Sequence, residues 1–511
     1  MAKIIVKHCR IEVNNYELGD CPSLEHFFTI FDPITHSCYL KGLEYDKDRK
    51  VLILPRGLDI SWLERALNGE AQADYNYDEF DYVSEPIMIK NMPRDNEQIE
   101  ALQFILGKGK YHHNSAKSQL GINLNTGKGK TYVTVFAISH WLVRSMVIAN
   151  TKGILEQWKD RILEYTDIKP KEIYLIEGSS SIDRLYNRDL GQYKIYLASH
   201  ATLKSYGDKN GWDKITQLFK YLKIGIKVYD EAHQNFDNIL KIDFHTNTYK
   251  NLYLTATPKR SAQNEDQIYQ LAFKNMPKID LFNEDKDPHT QYIAMHFNSR
   301  PSPDIVSRCK NKFGFNRLFY IDWVIDNERF LNFAYILMDK VFNLTKDGTK
   351  ALIYIGTNKA IGKFYDFLVG AFPQYKHQIG IYTSIVPDDQ KEDMLNKRII
   401  LSTTKSCGAG MDIHGLKVSV VLAEPFRSEV LTRQTLGRTR ANNTLYIDCI
   451  DDGFFYCKSY FNSKKPIFSK YATKCTNIAA MNEFEIQDRI KAIDEKPKLF
   501  CPVRRLKENE V

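Results

Sequence analysis

The sequence predicts an α/β fold: two tandem parallel-sheet domains preceded by a small α+β unit. Short apolar runs come in two successive series, helical stretches separate them, and the first 69 residues carry a different, hairpin-like pattern. The first series lies within residues 87–285 and includes MVIAN, KIYLAS, IGIKVYD and NLYLTAT. The second lies within 286–452 and comprises QYIAMHF, ALIYIG, QIGIYT, RIILSTT, VSVVLAE and TLYIDCI, with helical stretches such as NERFLNFAYILMDKVF between them. Runs this short, bounded by polar or turn residues, suit strands buried on both faces, as in parallel sheets with crossover helices. Two such βαβ series imply two α/β domains.

In residues 1–69, KIIVKHCRIEV has strand-like β-branched content, and CYLKGLEYD and KVLILPRG flank a turn at Asp46, Lys47 and Asp48 that reads as a hairpin. Ser61 and Glu64 have capping-box spacing for a short helix through Leu67. Residues 70–86 hold six acidic side chains and no basic one, the pattern of a solvated linker. Residues 453–511 form a basic and aromatic extension, with Tyr456, Tyr460, Phe461, Phe468 and Tyr471 among Lys458, Lys464, Lys465 and Lys470. Aromatics among lysines stack on bases in some proteins; packing of the segment onto its neighbouring domain is the favoured reading here.

With 43% hydrophobic and 26% charged residues, the composition excludes a wholly disordered, collagen-like or fibrous chain. A formal net charge of +8 permits nucleic-acid binding without requiring it. Nine dispersed cysteines, none at zinc-knuckle spacing, predict reduced thiols and no disulfide framework. No signal-peptide core follows the start of the sequence, and no run of about 18 apolar residues occurs. A soluble, cytoplasmic protein is expected.

The chemistry is concentrated in a few places. Asn125-Thr126-Gly127-Lys128-Gly129-Lys130-Thr131 lies between an apolar run and a helical stretch. Glycines there let successive amides face phosphate oxygens, and the following helix adds its positive end. A lysine in such a loop reaches the outer phosphates, and a Thr hydroxyl suits magnesium. The position five before Gly129 is Leu124, not the glycine of the strict phosphate-loop pattern. Asp230-Glu231-Ala232-His233 ends the run IGIKVY, at the strand end where open α/β sheets place ligand chemistry. Paired acids there suit metal binding by one and water activation by the other. Gln434-Thr435-Leu436-Gly437-Arg438-Thr439-Arg440 offers two arginines suited to bidentate phosphate contact. His112 and His113 are adjacent and lack helix-borne zinc spacing.

Over about residues 93–445 the chain resembles superfamily 2 DNA helicases, the DEAH-lettered group that includes phage UvsW-like and XPB-like enzymes. Arg94 to Gln98 resembles the adenine-reading segment, and Thr126 to Thr131 the helicase form of the phosphate loop. Ala149-Asn150-Thr151 with Leu155-Glu156-Gln157-Trp158 resembles motif Ia, with Asn150 where proline is common. Ser199 to Leu203 resembles the next strand-contact motif, Asp230 to His233 motif II, and Thr255 to Thr257 motif III. Ile353 to Thr357, then Thr404 with Gly410 and Asp412, then Gln434 with Gly437 and Arg438, follow as motifs IV, V and VI. The family's further arginine, three residues after the first, is Ala441 here, with Arg440 one residue earlier.

The resemblance implies two RecA-like domains using ATP and Mg2+. ATP binding would fall to Gln98, Thr126, Gly127, Lys128, Gly129, Lys130, Thr131, Gly410 and Asp412, with magnesium on Thr131 and Asp230. Lys130, Asp230, Glu231, Gln434 and either Arg438 or Arg440 would carry catalysis. His233, Thr255 and Thr257 would couple the sites, and Thr151, Thr202, Thr357 and Thr404 would grip strand phosphates. The implied activity is ATP-dependent DNA unwinding or branch migration in recombination, replication or repair, with a phage-encoded origin suggested by the same likeness. A duplex translocase, a restriction-system motor, an RNA helicase and a scaffold with a vestigial ATPase are the alternatives.

Overall fold

The apolar runs of the first series become the interior strands of one parallel sheet, and those of the second series build another. The computed structural model describes residues 2–31, 37–83, 85–124, 129–186, 190–255, 263–281, 290–311, 314–407, 413–436 and 444–478. The chain divides into two units, Met1–Phe282 and Asn283–Val511. Among the described residues no helix is long and apolar enough to cross a membrane, and the eight described cysteines are free thiols.

In the first unit, the main sheet has seven described strands in the order Ile173–Ile176, Ile195–Ser199, Ser145–Ala149, Ile226–Tyr229, Lys250–Thr255, Gln119–Asn123 and Lys278–Asp280. Every neighbouring pair is parallel. Ser145–Ala149, Ile226–Tyr229 and Lys250–Thr255 are buried along their whole length, which is why they read as largely apolar runs. Tyr229 pairs with Ile148. The segments leaving these two strands, Asn150 onward and Asp230 onward, therefore emerge side by side.

The N-terminal residues form a mixed five-stranded sheet in the order Glu44–Asp46, Val51–Pro55, Arg10–Asn14, Lys3–Val6 and Glu70–Ala73. The expected hairpin is the antiparallel pair Glu44–Asp46 and Val51–Pro55. Two local readings change. The helix Ile60–Leu67 is capped by Asp59, whose side chain accepts from the Trp62 amide at 3.0 Å. Glu64 instead accepts from the Ala71 amide at 3.0 Å, across the turn into the last strand. The acidic stretch is also more than a solvated linker. Glu70–Ala73 pairs in parallel with Lys3–Val6. Beyond it, Asp78 N donates to Asn247 O at 2.9 Å and Val83 N to Leu142 O at 2.8 Å. Asp81 pairs with Arg144 and Lys223, each at 3.2 Å. A run of like charge reveals nothing about cations that folding brings opposite it.

The small sheet is fastened to the parallel sheet's unit. Arg10 Nη1 donates to Thr246 O at 3.1 Å, and His245 Nε2 lies 3.0 Å from Glu44 Oε1. Gly57 N donates to Ala272 O at 3.0 Å. A Cβ on Gly57 would sit 2.2 Å from that oxygen, so glycine permits the approach.

In the second unit the described strands run Ile379–Tyr382, Ile399–Ser402, Lys350–Ile355, Leu416–Ala423, Thr444–Asp451, Thr290–Phe297 and Lys474–Ile478, all parallel. The edge strand Lys474–Ile478 and the helix Phe455–Tyr471 belong to the basic and aromatic extension. The Phe468 ring stacks on Tyr292 with centroids 3.7 Å apart, and buried Lys464 pairs with Asp448 at 2.7 Å. Tyr456 stacks on Phe315 at 5.1 Å. Through residue 478 the extension is part of this unit's own sheet and core.

Candidate nucleotide and nucleic-acid site

Gly129 caps the helix Lys130–Trp141 with a left-handed φ of +89°. Residues 125–128, and with them Thr126, Gly127 and Lys128, lie outside the described residues. Gln98, buried at 4% exposure, accepts from Arg94 N at 2.8 Å through its side-chain oxygen. Its Nε2 stands where a Cβ on Gly129 would come within 2.3 Å. Gln98 and the start of this helix are therefore in direct apposition, and a side chain at 129 would separate them.

From the first turn of that helix, Lys130 Nζ reaches Glu231 Oε1 at 3.3 Å. Glu231 sits at φ +50°, a left-handed backbone that disfavours a residue with Cβ by about 1–2 kcal/mol. Such strain is common where a functional side chain must be aimed. Asp230 Oδ1 accepts from Glu231 N at 3.0 Å, and Asp230 Oδ2 accepts from Trp158 Nε1 at 2.9 Å. Burial, and then the charge of Glu231, push the Asp230 carboxyl upward; Lys130 and the Trp158 indole oppose that push. His233, 3% exposed, places Nδ1 at 2.9 Å from Thr255 Oγ1 and at 3.4 Å from Glu231 Oε2. The strand end of residue 255 and the acidic turn are thus joined; Thr257 lies outside the described residues.

The hydroxyl of Thr131 and the carboxylate of Asp230 are hard oxygen donors of the kind magnesium takes, so the residues fit the implied ion. The helix start, Lys130 and the acid pair likewise fit a nucleotide's phosphates.

The four candidate strand-gripping threonines divide into two kinds. Thr151 caps the helix Lys152–Tyr165, accepting from Ile154 N at 3.4 Å, and Thr357 caps Asn358–Ala371, accepting from Ala360 N at 3.1 Å. Thr202 lies in the first turn of His200–Asn210, its hydroxyl oxygen 2.9 Å from Ser199 Oγ. These three stand at helix N-termini, where backbone amides favour anions. Thr404 is different: it is 2% exposed and its hydroxyl donates to buried Glu424 at 2.5 Å. Gln434 lies on the helix Glu429–Leu436. Gly410, Asp412, Arg438 and Arg440 lie outside the described residues.

Sequence reading assigned no role to Trp158, although it lies within the motif Ia letters, nor to Asn150 and Gln234. Asn150 Nδ2 donates to Gln234 Oε1 at 2.5 Å. The signals present were the departure from proline at 150 and the lone tryptophan in a polar helix.

Tandem parallel sheets with a lysine-bearing helix start facing an Asp–Glu pair at a strand end define a tandem RecA-like fold. Residues 91–260 match the family of type III restriction enzyme res subunits. A candidate DNA 3′–5′ helicase Rad25 of Haloarcula marismortui is 26% identical over 145 residues, covering 28% of this chain and 21% of that protein. The general transcription and DNA repair factor IIH helicase/translocase subunit XPB of Enterocytozoon bieneusi is 28% identical over 242 residues, covering 43% of this chain and 37% of that one. This chain therefore spans well under half the length of these curated relatives. The structure of S. cerevisiae Dbp5 bound to RNA and ADP BeF3 shares the fold at TM-score 0.50 and 14% identity, over 80% of this chain and 97% of that chain. T4 UvsW aligns over 94% of this chain and 99% of that chain at 14% identity, with TM-score 0.36. Over these matched residues the chain is similar to superfamily 2 helicases.

Proposed function

We propose that the chain is an ATP-dependent DNA helicase or translocase, coupling hydrolysis to unwinding or branch migration in recombination, replication or repair. The observation that carries this reading is Lys130 held 3.3 Å from Glu231, beside Asp230, at the carboxyl end of a buried parallel strand. In this reading Lys130 and the amides at the start of its helix bind the phosphates, while Thr131 and Asp230 would hold magnesium. A bound magnesium there would supply neutralisation of charge on the transferring phosphoryl group. Glu231 orients the attacking water and accepts its proton. His233, bonded toward Thr255 and facing Glu231, keeps the acidic turn in register with the neighbouring strand end. Thr151, Thr202 and Thr357 contact strand phosphates at their helix starts, which positions a strand without reading its sequence. Gln434, Gly410, Asp412 and one of Arg438 and Arg440 complete the second unit's share.

The XPB and Rad25 relatives support DNA as the partner. The res-subunit match favours a second reading, a motor that moves on duplex DNA without separating strands. ATP hydrolysis measured alone and with single-stranded DNA, branched DNA, duplex DNA and RNA, beside a Glu231→Gln control, tests the motor. Stimulation by DNA that vanishes in the variant supports it; a rate indifferent to every nucleic acid refutes it. Strand displacement compared with triplex displacement then separates the two motors.

A further inference from the structure

Resting on the motor reading above, we propose that Asn150 is a positioning residue that transmits strand occupancy at Thr151 to the catalytic turn Asp230–Asn235. Both ends of its amide are bonded to that turn. Asn150 Nδ2 donates to Gln234 Oε1 at 2.5 Å, and Asn235 Nδ2 donates to Asn150 Oδ1 at 2.5 Å. The partners are 84 and 85 residues away in sequence, so the bridge is tertiary, not a turn's own bonding.

On one side of the bridge, Asn150 shares a planar peptide unit with Thr151, the cap of the helix Lys152–Tyr165. A phosphate gripped at that helix start pulls on Thr151, and the rigid peptide carries the displacement to Asn150. On the other side, Gln234 N donates to Glu231 O at 2.8 Å, and Gln234 Nε2 lies 3.5 Å from His233 Nε2. His233 in turn faces Thr255 Oγ1 at 2.9 Å and Glu231 Oε2 at 3.4 Å. The turn is poised to respond, because Glu231 and Asn235 both hold left-handed backbones, at φ +50° and +45°. A small shift of Gln234 therefore changes the aim of the Glu231 carboxylate. A proline at position 150 would have no amide to make either bond.

The test uses the full chain and two variants. Asn150→Ala removes both bonds. Asn235→Gly removes one, and glycine accepts φ +45° without strain, so this variant keeps the turn's backbone. Two quantities are read: the ratio of DNA-stimulated to unstimulated ATP hydrolysis, and the change in affinity for a fluorescein-labelled single-stranded oligonucleotide on adding ADP and beryllium fluoride. Coupling between binding sites is typically 5- to 150-fold, so loss of the bridge should shrink the affinity change by roughly tenfold for Asn150→Ala, and the stimulation ratio should fall with it. Unstimulated hydrolysis and nucleotide-free strand affinity should fall by less than the coupled quantities, because the bridge acts on the site only through the Gln234 and Asn235 side chains. A merely structural role predicts equal losses in stimulated and unstimulated rates, and that result overturns the inference. So does full coupling in both variants while the parent chain is stimulated. If the parent chain shows no stimulation by any nucleic acid, the motor reading falls and the inference falls with it.

Discussion

Trp158→Phe isolates one hydrogen bond of the site. Trp158 is 3% exposed, so its ring is held by packing, and phenylalanine keeps an aromatic group there. What disappears is the indole N–H that Asp230 Oδ2 accepts at 2.9 Å. The indole is buried, so water does not readily replace the lost donor. A hydrogen bond to a charged group contributes about 1.5–3 kcal/mol. At about 1.4 kcal/mol per decade, that corresponds to roughly 10- to 150-fold, in line with the 10- to 100-fold losses seen when partners of metal-binding groups are removed. The expected result is a rise of about that size in the Mg2+ concentration giving half-maximal ATP hydrolysis. Direct Mn2+ binding, followed by electron paramagnetic resonance, should weaken in parallel. The smaller ring also leaves a cavity, so thermal unfolding of the variant is measured alongside. If both metal titrations stay within twofold of the parent chain, Trp158 does not orient Asp230 and the reasoning is refuted.

Lys130→Ala should abolish hydrolysis while oligonucleotide binding, read by fluorescence anisotropy, stays largely intact; undiminished turnover would sink the nucleotide assignment. Asp243→Asn should destabilise the first unit by roughly 3–5 kcal/mol in urea unfolding, because it leaves fully buried Lys227, now paired at 2.6 Å, without its counter-charge. A loss below about 1 kcal/mol would mean the pair contributes little. His200 is buried against Tyr229 and burial holds its imidazole down at about 3, from an ordinary 6.5. The folded state thus keeps His200 neutral while the unfolded chain protonates it. Its contribution is complete above pH 6.5 and is lost as pH falls toward 3, at about 1.4 kcal/mol per pH unit. His200→Phe should flatten that acid limb in stability measured between pH 6.5 and 4, and an unchanged slope would refute the assignment.

Much of the fold was legible because parallel-sheet strands carry their signature locally. A run such as IGIKVYD is apolar because both faces of Ile226–Tyr229 are covered, and that burial leaves its mark within a few residues. The places of Gly129 and Lys130 at a helix start, and of Asp230 and Glu231 at a strand end, were legible for a similar reason, since loops and strand ends are marked by local residue types. The acidic stretch 70–86 was not legible, because its strand partner Lys3–Val6 and its cations Arg144 and Lys223 lie far away in sequence. Nor was Glu64, whose carboxylate serves Ala71 seven residues on and not its own helix start.

The sequence by itself determined the interior strands of both parallel sheets, that two such units follow one another, and which side chains are of a chemical type suited to phosphate and metal. Only the tertiary structure decided how those side chains are held. Strand order is not written in any single strand, and the placing of Ser145–Ala149 beside Ile226–Tyr229 brings residues 72 and 84 positions apart into hydrogen-bonding distance. Trp158 thereby reaches Asp230, and Asn150 reaches Gln234, through contacts that local burial and propensity do not encode.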